Sequence, residues 1–272
     1  MIIHSGKIAF TADRNEEIFA IGDMHGLIEN LKEALEIIKT TPRIPGRRRV
    51  VVYTGDLIDR GPKPLACIDA AMDTAEITGA DEVKWLMGNH EQMLATAIGP
   101  VGGPEFVLET LGEKQNTAGE IWYSNGGAAL IAQHGHWNLP KILGARRHAW
   151  ITSLDKFYVS GSVLFIHAGV PLYRTLADIE ADCDDIDLSD GGFRENNHWA
   201  WVREPFLKFE AGADGHDGFF VVHGHTPINS DPVRDSLNQI ARARLNIDGG
   251  SFRTGKIRMV QVIDDQVTLH EI

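Results

Sequence analysis

Residues 49–75, "RVVVYTGDLIDRGPKPLACIDAAMDTA", run from a β-rich apolar segment through a polar turn into apolar residues at helical spacing. The segment 49–54 reads as a buried strand and 64–75 as a helix, with Asp56, Asp59 and Arg60 in between. Working outward, "EIFAI" (17–21) and "EVKWLM" (82–87) read as strands on either side, and "LIENLKEALEIIK" (27–39) as the helix between the first two strands. The chain therefore opens as βαβαβα, an α/β pattern. Residues 90–155 lack strong strand signals and carry helical stretches broken by "GPVGGP" and "SNGG", which predicts a helical cap or insertion. Strands return at 163–169, 218–226, 244–250, 256–263 and 266–272, the last two as a hairpin turning at "DD". No internal repeat, low-complexity tract or linker interrupts this order, so one domain over 1–272 is expected.

Composition narrows the function. Lys and Arg total 26 against 38 Asp and Glu, a formal charge of −12, which argues against a surface that neutralises nucleic acid. An anionic substrate must then be held by a local cationic feature. Cys67 and Cys183 have neither disulfide density nor C-x-x-C spacing, and no signal-peptide pattern or long apolar run is present, so a cytoplasmic protein away from membranes is expected.

The polar residues at the strand exits are more telling than the strands. Asp23 and His25 come after the first strand, Asp56, Asp59 and Arg60 after the second, and Asn89 and His90 after the third; His167 comes after "LFI", and "HGH" offers His223 and His225. Carboxyl ends of neighbouring strands converge on one crevice in α/β sheets, so these exits can build a single site. One G-D pair is usually a turn and one His a hydrogen-bonded strand end. Five exits that all carry metal-ligand types are hard to explain as five separate turns. Gly22, Gly55, Gly88 and Gly224 precede the polar residues, where the backbone must turn sharply or approach closely.

The ordered set "GDMHG", "GDLIDRG", "GNHE", "HAG" and "GHT" resembles the phosphoprotein phosphatases of the calcineurin-like metallophosphoesterases, nearest their short prokaryotic and phage members. That resemblance implies a β-sandwich of two mixed sheets flanked by helices, with two divalent ions at the sheet ends. It also implies single-step hydrolysis of phosphoserine and phosphothreonine in proteins by a metal-bridging hydroxide. By the same resemblance Asp23 and His25 bind the first ion, Asp56 bridges, Asn89, His167 and His225 hold the second, and Arg60 and Arg203 of "WVREPF" grip phosphate. In "GHT" the family's ligand is the His after Gly, which selects His225 over His223.

Chemistry supports this division of labour. Two dications against the carboxylates Asp23 and Asp56 leave a net charge of +2 that matches a phosphate dianion, and Asn89 adds an oxygen without a charge. Adjacent residues of an extended exit point to opposite sides, so His90 is better placed as the acid that protonates the leaving alkoxide, held by Asp59. Mn, Fe, Zn or Ni suit such ligands, Mn being the first expectation. A symmetrical bis(5'-nucleosyl)-tetraphosphatase is the alternative in the same superfamily. Proteins of that type often lack the second acid of "GDxxDRG" and carry Asp in place of the Glu of "GNHE", whereas this chain keeps Asp59 and Glu91. A non-catalytic phosphoprotein-docking module is the reading from another class, set against every expected position being filled. Outside the site, "RRR" (47–49) reads as a solvated turn and "DIEADCDDIDLSDGG" (178–192) as an acidic loop.

Overall fold

In the predicted opening strands, alternate apolar side chains face opposite sides of the sheet, and both sides are covered. The computed structural model describes residues 1–99, 117–181, 197–228 and 232–272. The strands are β1 (Ile2–Lys7), β2 (Glu16–Ile21), β3 (Arg48–Tyr53), β4 (Glu82–Trp85), β5 (Phe157–Ser160), β6 (Val163–Ile166), β7 (Phe220–His223), β8 (Arg244–Asn246), β9 (Arg258–Ile263) and β10 (Gln266–Glu271). Phe19, Ile21, Val51 and Tyr53 pack into a core under the helices, while Ile18, Ala20, Val50 and Val52 pack into a second core with Phe165, Phe220, Val222 and Val260.

Two mixed sheets result, one ordered β1-β10-β9-β2-β3-β4 and one β5-β6-β7-β8. β2, β3 and β4 pair in parallel, as do β6, β7 and β8. The parallel strands of each sheet therefore end at the same edge. This is the expected two-sheet α/β architecture. β1 and β5 were not foreseen: "IIHSGK" has no apolar alternation and closes the sheet edge on β10, and β5 is only "FYVS".

The helices α1 (Ile28–Thr40), α2 (Pro64–Met72) and α3 (Thr74–Thr78) carry the crossovers, and the expected helix 64–75 is divided at Asp73. The expected cap begins with α4 (Asn89–Ile98) and continues through α5 (Thr117–Trp122), α6 (Ala128–His134) and α7 (Leu139–Ile151). "GPVGGP" beyond Gly99 and most of the acidic stretch, Cys183 included, lie outside the described residues. The chain is completed by α8 (Leu176–Glu180), α9 (Pro232–Ile240) and α10 (Ser251–Thr254). Among the described residues no helix is long and apolar enough to cross a membrane.

"RRR" enters β3 and does not form a turn, and only Arg48 remains largely solvated. Arg47 pairs with Asp264 at 2.8 Å, Arg48 with Glu16 at 2.5 Å, and Arg49 lies buried against the equally buried Glu17, donating to the Ile38 and Thr41 carbonyls at 2.6 and 2.9 Å. A guanidinium with that many acceptors can be carried inside; charge alone did not reveal the partners.

Candidate metal centre and phosphate pocket

Each strand exit is drawn onto the next by backbone contact. The glycines act mainly through close approach: a Cβ on Gly22 would stand 2.1 Å from the Ile247 carbonyl oxygen, one on Gly88 2.3 Å from Asp56 Oδ1, and one on Gly224 2.0 Å from Asp23 Oδ1. Only Gly55, at φ 99°, also needs the left-handed region. Nine non-glycine residues among those described have positive φ, and five of them are His25, Asp56, Asp59, Arg60 and His225. Strain of this kind persists where the surroundings over-determine it, and here it coincides with the expected site.

Glu91 supplies much of that determination. Its buried carboxylate accepts the amides of Asp56 and Leu57 at 2.8 Å, Gly88 at 3.1 Å and Ile58 at 3.3 Å. It clamps the β3 exit onto the N-terminus of α4. Asn89 and His90 are the first residues of that helix, so they diverge through helical rotation and not, as expected, along an extended exit. Asp56 Oδ1 meanwhile accepts the His90 amide at 3.1 Å, a carboxylate on the positive end of a helix.

The residues fit a dinuclear centre. His25 Nδ1 donates to the Ile58 carbonyl at 2.8 Å, His167 Nδ1 to Thr54 at 2.7 Å and His225 Nε2 to Trp201 at 3.1 Å. Those acceptors fix the tautomers and leave His25 Nε2, His167 Nε2 and His225 Nδ1 as lone-pair donors. Burial holds His25 down to about 3, His167 below its ordinary value and His225 well below it, so all three are neutral. His167 Nε2 and His225 Nδ1 face Asn89 Oδ1 at 3.1 and 2.9 Å. Three acceptors converging so closely repel one another unless a cation lies among them. Asp56 joins two groups whose ligand atoms lie within 4.8 Å of one another, one with His25 and His90 and one with His167 and His225. Burial alone would raise Asp56, but the protons that His167, His90 and His25 take up in acid hold it below the usual carboxylate range, so it stays ionised where His25 and His167 are neutral.

Asp23 belongs to neither of those close groups. Its carboxylate accepts the His225 amide at 3.0 Å and is raised well above its ordinary value by burial and by Asp248, a buried acid that sequence reading missed. Buried acids this close favour a cation beside them. Asp248 was hidden because 244–250 reads as one strand, whereas β8 ends at Asn246 and Asp248 lies in the turn beyond it, its Oδ1 accepting the Gly250 amide at 2.7 Å.

His90 has different surroundings. Nδ1 contacts Asp59 Oδ2 at 2.7 Å, Trp122 Nε1 donates to Asp59 Oδ1 at 3.0 Å, and all three side chains are buried. Burial works against the charged ring, but Asp56 and Asp59 outweigh it and raise His90 above its ordinary value. Nε2 is without a hydrogen-bond partner and lies 3.9 Å from Asp56 Oδ2. His223, by contrast, ends β7 as a buried ring packed against Phe206.

Above this floor is a cavity of about 190 Å³ lined by Asp56, Arg60, Asn89, Arg203, His225, Pro227, Phe252 and Arg253. Arg60 Nη1 donates to His25 Nε2 at 2.8 Å, and Arg203 Nη1 to Thr226 Oγ1 at 3.2 Å. All ten expected residues are thus brought to one edge of the two sheets. Phe252 and Arg253 join them without having been singled out, because "GGSFRTG" has no motif character.

The model of the calcineurin-like phosphoesterase family matches residues 17–250. The chain is 26% identical over 214 residues to Serine/threonine-protein phosphatase 1 of Salmonella typhimurium, covering 78% of this chain and 79% of that one. It is 24% identical over 155 residues to the symmetrical bis(5'-nucleosyl)-tetraphosphatase of Methylococcus capsulatus, covering 57% and 43%. In three dimensions it resembles the cold-active protein-tyrosine phosphatase of a psychrophilic Shewanella species, with a TM-score of 0.53 and 21% identity over 91% of this chain and 76% of that one. The last likeness bears on the fold alone.

Proposed function

The chain belongs to the calcineurin-like phosphoesterase family, and from that premise we propose that it hydrolyses phosphoserine and phosphothreonine monoesters in proteins. Asp23 and His25 would hold one divalent ion, Asn89, His167 and His225 a second, with Asp56 between them. Mn is the first candidate for both. The ions supply Lewis acidity, charge neutralisation and activation of the attacking water. Arg60 and Arg203 line the cavity with guanidinium forks suited to non-bridging phosphoryl oxygens. A metal ion held by His25 Nε2 would take the lone pair that Arg60 Nη1 contacts, which would free that arginine for substrate.

The observation that carries the choice of substrate is the buried Asp59–His90 contact at 2.7 Å with Nε2 left bare. Asp59 orients the ring and favours its protonated form, and His90 delivers the Nε2 proton to the departing oxygen. A serine or threonine alkoxide needs that proton; a nucleotide leaving from a phosphoanhydride does not. The Salmonella relative is consistent with a phosphoprotein substrate, and a cytoplasmic setting suits one.

The test is hydrolysis of p-nitrophenyl phosphate, a phosphothreonine peptide and diadenosine tetraphosphate, each with Mn²⁺ and with chelator. Metal-dependent turnover of the first two is expected. A strong preference for the dinucleotide would replace the reading with a tetraphosphatase, and no turnover of any substrate would end it.

A further inference from the structure

Arginine recurs at the mouth of the site, alongside the carboxylate of Asp56. Arg60, Arg203 and Arg253 all line it in a chain whose formal charge is −12, so the cationic surface is local and concentrated. Arg253 is not on a floppy loop. It stands on α10, which follows β8 directly and is bounded by Gly250 and Gly255 at φ 65° and 70°. Ser251 is buried beneath it, and Thr254 Oγ1 donates to the Gly249 carbonyl at 2.9 Å.

Phe252 couples this pedestal to the chemistry. Its ring meets His25 edge-on at 5.5 Å and lies under the guanidiniums of Arg60 at 4.6 Å and Arg253 at 5.3 Å. Cation–π contacts at both arginines hold Arg253 beside the opening. The ring is still 41% exposed, an aromatic surface next to a cation at the edge of the pocket.

We propose that Arg253, carried by Phe252, reads a carboxylate side chain next to the phosphorylated residue, so that the enzyme selects acidic phosphopeptides. The inference rests on the phosphoprotein reading above. Arg60 and Arg203 already serve the scissile phosphoryl group, and Arg253 is the third cation on the same opening. A flanking Asp or Glu reaches such a rim through a flexible side chain whose methylene groups can lie on Phe252. An exposed pair of this kind is worth a few-fold in rate and weakens with salt.

The experiment compares kcat/KM for three phosphothreonine peptides that differ only in Glu, Gln or Lys beside the phosphothreonine. Wild type, Arg253→Gln and Arg253→Glu are assayed, with melting curves to show that each is folded and diadenosine tetraphosphate as a further substrate. Wild type should favour the Glu peptide over the Gln peptide by about fivefold at low salt. The ratio should fall toward one in Arg253→Gln and reverse in favour of Lys in Arg253→Glu. An identical order of peptides in all three enzymes, or an equal loss on every peptide, overturns the inference and leaves the phosphoprotein reading standing. Cleavage of the dinucleotide without hydrolysis of any peptide overturns both.

Discussion

Asn89 and Asp56 face the same centre with different charges, and the difference has measurable consequences. Asn89 Oδ1 lies 3.1 and 2.9 Å from the bare nitrogens of His167 and His225, so in the proposed centre it would complete a donor set of neutral groups. Asn89→Ala should lose bound metal, read by elemental analysis after dialysis, together with most of its rate. Asn89→Asp should keep or tighten metal binding and still turn over more slowly, because the added charge lowers the pull on the phosphate dianion. Equal metal content in wild type and Asn89→Ala would remove Asn89 from the ligand set. The strained residues His25, Asp56, Asp59, Arg60 and His225 cost stability at about 1–3 kcal/mol each, and only the fit of one exit against the next keeps them in place.

That fit is a property of elements. Glu91 ties α4 to the β3 exit through backbone amides of Asp56, Leu57, Ile58 and Gly88. Glu91→Gln replaces an all-acceptor group with one that turns an amide NH₂ toward other N–H donors. It should destabilise the fold by about 1–3 kcal/mol in urea and lower kcat. The buried Arg49–Glu17 pair joins β2 to β3. Arg49→Met alone should cost about 3–5 kcal/mol by stranding Glu17, and Arg49→Met with Glu17→Met should recover most of that; additive losses would contradict the pairing. Strand exits were legible in the sequence because each pairs an apolar run with an acid, His or Asn. The role of Glu91 and the burial of Arg49 were not, because both depend on which backbone groups the crossovers bring near. β1 was missed because its residues carry no alternation and its place depends on pairing with β10.

Across the whole molecule, two sheets bring their parallel ends to one edge, so the site exists only when both halves are assembled. A metal bound to the native state alone should then stabilise the entire fold, by about 2.7 kcal/mol at a hundredfold excess over Kd. Removal by chelator should lower Tm, and an unchanged Tm would contradict a site built from both sheets. Stability should also fall in mild acid. Burial among Phe206, Phe209 and neighbouring residues pushes His216 from its ordinary 6.5 down to about 4. Between those values the unfolded chain binds the extra proton, so the contribution of His216 is complete above pH 6.5 and is lost as pH falls toward 4. His216→Gln, which can still donate to the Arg242 carbonyl, should reduce the loss over that window by about 2 kcal/mol.

On the proposed mechanism Asn89 and His90, neighbours in sequence, serve the metals and the leaving group separately. The most direct measurement is kcat/KM for aryl and alkyl phosphate monoesters of increasing leaving-group pKa, in wild type and metal-replete His90→Asn. Wild type should depend weakly on the leaving group. His90→Asn should keep its metals, stay near wild type for the best leaving groups and fall by about 10²–10⁴ for the poorest. Parallel lines for the two enzymes would remove His90 as the proton donor, and loss of metal from His90→Asn would put it among the metal ligands.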